Sequence, residues 1–116
     1  FESYLHLHPD LRLEVAGKAW RVVGDRGDFR VVPIGAVTCE LAHAWYCPDW
    51  GRATRAPVLT FRGEAEAPVT FGYVLAPHGV DVDVAVDADA SGVALTGCVG
   101  GRPLQMRSDR CTSSDV

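Results

Sequence analysis

The chain has 116 residues, 47% of them hydrophobic and 22% charged, with a net charge of −4. That length and balance suit one globular domain with a modest core and argue against disorder except at the tail. The acidic balance lacks the basic footprint of a nucleic-acid binder, and no apolar run approaches the roughly 20 residues that span a bilayer, so neither nucleic acid nor membrane is expected as a partner.

The opening run, Phe1-Glu-Ser-Tyr-Leu-His-Leu-His-Pro-Asp10, alternates with a period of two. Leu5 and Leu7 point one way; Tyr4, His6 and His8 point the other, the pattern of a half-buried strand. Pro9-Asp10 turns the corner, and Leu11, Leu13 and Val15 resume the alternation in a second strand. Ala19 to Val23 follows, with Trp20 and Val22 on one face, then the turn Gly24-Asp-Arg-Gly-Asp28 and a strand from Phe29 to Ile34. Val37 to Tyr46 is the longest regular run. Helix competes over Cys39 to Trp45 because alanine and leucine favour it, but the alternation and the aromatics favour strand. Cys47 to Pro57 reads as a long loop, the kind that more often carries function.

Val58 to Arg62 is the next strand, and Val69, Phe71, Tyr73 and Leu75 form one face of another. Val80 to Asp87 alternates most clearly, valine against mostly aspartate, which marks a strand with one wet face and hence an antiparallel sheet. The aspartates Asp81, Asp83, Asp87 and Asp89 form a flat row, which suits a solvated face better than the converging oxygens of a calcium site. Ser91 to Val99 is a further strand. About nine short strands, with turn signals every 8–12 residues and no convincing helix, predict an all-β chain, an antiparallel β-sandwich. The sandwich is expected over 1–103, with 104–116 a short last strand around Leu104 and Met106 or a frayed tail.

Several clusters carry chemistry. His6 and His8 stand two apart on one strand face, a spacing that can offer two metal ligands; the more ordinary reading packs them against arginine or tyrosine across the sheet, and no metal is assigned. His43 reads as a partly buried histidine beside Leu41 and Trp45, and His78 as a turn residue. Trp45, Tyr46 and Trp50 precede and enter the long loop, with Arg52 and Arg55 behind them. Aromatic faces stack on sugar rings, and the planar arginine fork pairs with uronate or sulfate. Against this stands the packing alternative, in which Trp45 and Tyr46 enter the core and Trp50 pins the loop. The candidate substrate contacts are Trp50, Arg52, Arg55, His6 and His8. Cys39, Cys47, Cys98 and Cys111 contain no CxxC, which disfavours a zinc ribbon, and their pairing stays open. No nucleophile elbow, phosphate loop, HExxH or triad-like arrangement is present, so no catalytic residue is assigned.

The stretch Tyr4-Leu-His-Leu-His-Pro-Asp10 followed by Leu11-Arg-Leu13 resembles the C-terminal β-sandwich of heparinase II/III-like polysaccharide lyases, where a similar "FHLHPD" run precedes an alternating strand. Trp50-Gly51 followed by Val58-Leu59, and Val69 to Pro77 ending in Leu75-Ala76-Pro77, resemble that family's aromatic-glycine loop and its strand ending in "L-x-P", in the same order. The resemblance covers much of the first eighty residues. It implies the last part of the sandwich of a lyase that eliminates across uronic-acid glycosides, with the catalytic residues of the family mainly on an upstream helical toroid. It further implies that the toroid and an acidic polysaccharide are its partners, that the parent protein is secreted or periplasmic, and that any zinc site lies upstream, leaving no cofactor here. Phe1 in place of Met, inside a strand pattern, agrees with a piece of a longer protein.

Overall fold

Alternation decides which elements form. The computed structural model describes residues 1–109, and among them the chain forms ten strands and no helix. In order they are β1 (Glu2–His6), β2 (Arg12–Ala16), β3 (Ala19–Gly24), β4 (Gly27–Ile34), β5 (Thr38–Tyr46), β6 (Thr54–Arg62), β7 (Gly72–Pro77), β8 (Val82–Asp89), β9 (Gly92–Val99) and β10 (Arg102–Asp109). They build three antiparallel sheets, in the orders β1-β6-β5, β2-β3-β4-β7 and β10-β9-β8. The all-β sandwich expected from the sequence is what forms, with ten strands rather than about nine.

The first and second sheets face each other. Val22 of β3 and Val31 of β4 meet Leu59 and Phe61 of β6, all four fully buried, and Leu5, Leu7, Leu13 and Phe29 close around them. Each of these residues has the parity that the alternation assigns to the inner face. Across the two sheets the Trp20 indole N–H donates to the Cys39 carbonyl at 3.4 Å, and Phe61 stacks on Tyr73 with ring centroids 5.3 Å apart. β6 is the spine of the first sheet: Ala56 to Phe61 are buried on both faces. Cys39 to Trp45 is strand, in register with β6 from Thr38↔Arg62 to Tyr46↔Thr54.

That register corrects the loop. β6 begins at Thr54, so the connection is Cys47 to Ala53 and does not extend to Pro57. Proline seldom enters a central strand because it cannot donate to the ladder. Here Pro57 accepts from Leu7 N–H at 3.0 Å, just past the end of β1, so its missing donor falls where the ladder is already ending. The boundary expected at 103 falls inside β10, which pairs with β9 along its length, from Arg102↔Val99 to Asp109↔Gly92. The remainder of the tail, with Cys111, lies outside the described residues.

The third sheet sets valine against aspartate as its sequence predicts. Val82, Val84 and Val86 are half-buried, while Asp83 and Asp87 are exposed. It joins the second sheet where β8 approaches β4: the Arg30 guanidinium donates to the Val80 carbonyl. Its attachment is narrow, which explains a radius of gyration of 16.8 Å against the roughly 13 Å of a compact chain of this length. Gly97 locks its centre. At φ +153° it lies between Val84 and Leu104, and a Cβ added there would stand 1.8 Å from the Asp83 carbonyl oxygen. Gly97→Ala is therefore expected to destabilise the third sheet by about 1–3 kcal/mol. Native-state hydrogen exchange checks this: protection falls in β8, β9 and β10 while β6 keeps its own.

Candidate functional site

The side chains singled out in the sequence gather at one end of the first sheet, on its two faces and in the hairpin loop between β5 and β6. Trp45 and Arg55 oppose each other across the β5–β6 pair, with the Arg55 guanidinium 5.9 Å from the indole centroid. Beyond them the loop is closed by its own residues: Asp49 accepts from Arg52, side chain to side chain at 2.8 Å and backbone to backbone at 3.3 Å. Gly51 adopts φ +74°, a conformation glycine takes without strain. The turn holds Trp50 out at its tip, fully exposed, above an open depression of about 700 Å³ lined by Cys47 to Ala53.

This corrects the packing alternative for the aromatics. Trp45 is 68% exposed and Tyr46 is 38% exposed, so neither enters the core, and Trp50 pins nothing. His43, expected to be partly buried, is exposed as well. The inner core lies under Leu59 and Phe61, and the hairpin runs past its edge.

The opposite face of the first sheet carries a furrow. Its floor is Val58 and Thr60 of β6, both buried, and Ala42 and Ala44 of β5 keep it low on one side. Tyr4 and His6 of β1 wall the other side, enclosing about 270 Å³. At the loop end the His8 ring meets Tyr46, centroids 5.4 Å apart. At the far end Arg62 pairs with Glu2 at 2.9 Å and Glu40 at 3.4 Å; exposed pairs of this kind contribute little stability. The Tyr4 hydroxyl donates to Glu2, and that bond first, then the Arg62 charge, holds the Glu2 carboxyl below its usual range. The same bond raises the Tyr4 phenol.

The structure therefore brings His6 and His8 onto one face, as their spacing predicts, and places Arg55 with Trp45 on the other. Trp50 and Arg52 share the loop between the two faces. His8 Nδ1 accepts from the Asp10 backbone N–H at 3.2 Å, which closes the Pro9-Asp10 corner. Among the described residues no group of three or more His, Cys, Asp or Glu side chains is placed to hold a metal ion. Sequence reasoning missed the furrow and the partnership of Tyr46 with His8. The signal was available: Ala42, Ala44, Ala56, Val58 and Thr60 are small and share the outward parity of paired strands. Comparisons of the chain with models of protein families, with characterised proteins and with solved structures find no match.

Proposed function

We propose that this chain is the C-terminal β-sandwich of a heparinase II/III-like polysaccharide lyase, and that the loop end of its first sheet holds an acidic, uronate-containing glycan for a catalytic toroid elsewhere in the protein. The observation that carries the reading is Trp50, fully exposed at the tip of a loop fixed by the Asp49–Arg52 pair. A large apolar ring kept in water gains nothing for the fold, whereas a pyranose ring presents C–H groups that stack on an indole face. Arg52 and Arg55 follow that ring in sequence, and a planar guanidinium donates two hydrogen bonds to a carboxylate or sulfate. Trp45, with Arg55 over it, extends the same surface toward the sheet. The sandwich in this reading binds and orients; the base that removes the proton beside the uronate carboxylate, and the acid that protonates the leaving oxygen, belong to the toroid.

Isothermal titration of this chain with heparan sulfate, alginate and a neutral glucan tests the reading, with absorbance of the unsaturated uronate followed in the same samples. The expected result is binding of an acidic glycan, weakened by salt, with no elimination. Equal binding of the neutral glucan, or no binding of any, contradicts the proposed holding role; elimination by this chain alone contradicts the division of labour.

A further inference from the structure

The edges of the three sheets are β1 and β5, β2 and β7, and β8 and β10. An edge strand presents a row of unpaired N–H and C=O groups, and folded proteins guard such rows with charge, proline or shortness. β1 and β2 are five residues long, and β2 carries Arg12 and Glu14. β7 has six residues between Gly72 and Pro77. β8 carries Asp83, Asp87 and Asp89, and β10 carries Pro103, Arg107 and Asp109. β5 lacks these guards: it is nine residues long, without proline, and its one charged residue, Glu40, is already paired with Arg62; the Trp20 indole takes the Cys39 carbonyl at its start, which leaves Leu41 to Trp45 as the open stretch. Along this edge Leu41 is 36% exposed and Trp45 is 68% exposed.

We propose that β5 pairs antiparallel with β5 of a second copy of this chain, about a two-fold axis through His43, joining two three-stranded sheets into one. The register follows from the pleat. A two-fold axis normal to the sheet keeps both cores on the same side only if inward-facing residues oppose inward-facing residues. Centred on His43, Leu41 opposes Trp45 of the second copy, and Trp45 opposes the second copy's Leu41, so the exposed apolar side chains cover one another. Ala42 opposes Ala44 on the other face, where small side chains let the strands approach. Glu40 opposes Tyr46, and no like charges meet. One strand from each copy buries less than the roughly 800 Å² per partner of a standard interface, so the dimer is a concentration-dependent one.

Sedimentation equilibrium over a micromolar to sub-millimolar range tests this, using the wild-type chain, His43→Glu and His43→Lys, each checked for its fold by circular dichroism. The wild type is expected to pass from monomer to dimer. Each variant sets like charges opposite each other at the axis and is expected to weaken dimerisation about fivefold or more. An equimolar mixture of the two is expected to associate at least as tightly as the wild type, because the acid of one then meets the base of the other. A wild type that stays monomeric throughout, charge variants that associate as the wild type does, or a mixture that stays weak would each overturn the proposal.

Discussion

Phe61→Ala is expected to remove about 3–5 kcal/mol of folding stability, the cost of losing a large buried ring and leaving a cavity behind it. Phe61 is fully buried in the central strand of the first sheet, lies against Val22 and Val31 of the second, and stacks on Tyr73. Few alternatives can fill the gap: among the described residues the largest fully buried side chains are Phe61, Leu59, Val22 and Val31, so one truncation empties much of a small core. Domains of this size are stable by only about 5–15 kcal/mol, and the loss takes a large share of that. Urea denaturation reads it as a lower midpoint with little change in slope. A loss below about 1 kcal/mol would mean that the first and second sheets do not share this core.

Trp50→Ala is expected to leave the urea midpoint unchanged, since the side chain is fully exposed and contacts no core residue. Its effect falls on binding: affinity for an acidic glycan should drop about thirtyfold, the loss typical of an aromatic anchor worth roughly 2 kcal/mol. Titration of the variant beside the wild type measures this. Retained affinity would place the glycan on another surface, such as the furrow over Val58 and Thr60 of the same sheet.

Strand identity was legible wherever one face is wet. Leu5 and Leu7 against His6 and His8, and Val82, Val84 and Val86 against Asp83 and Asp87, alternate because the pleat alternates, and the structure keeps both patterns. The competing helix over Cys39 to Trp45 lost because long-range pairing with β6 satisfies that backbone. Parity shows which way a side chain points, but not whether another sheet lies above it. For that reason the packing alternative placed Trp45 and Tyr46 in the core and His43 was expected to be partly buried, whereas all three are exposed. The start of β6 was illegible for a similar cause: Pro57 signals a loop locally, and only the end of β1 beside it makes a strand acceptable. The division into three sheets depends on β8 leaving β7 to pair with β9, a choice made by the turn at His78 and Gly79 and by Arg30 reaching Val80. Neither is visible in a period of two.

Whether the loop end of the first sheet holds an acidic glycan is read by a nuclear magnetic resonance titration of the isotope-labelled chain with a uronate-containing oligosaccharide, following the indole N–H signals of Trp20, Trp45 and Trp50 and the arginine Nε–H signals. Trp50 and Trp45 are expected to shift together with Arg52 and Arg55, while Trp20, hydrogen-bonded between the sheets, stays in place. Shifts confined to other surfaces, or equal shifts with a neutral oligosaccharide, would contradict the reading.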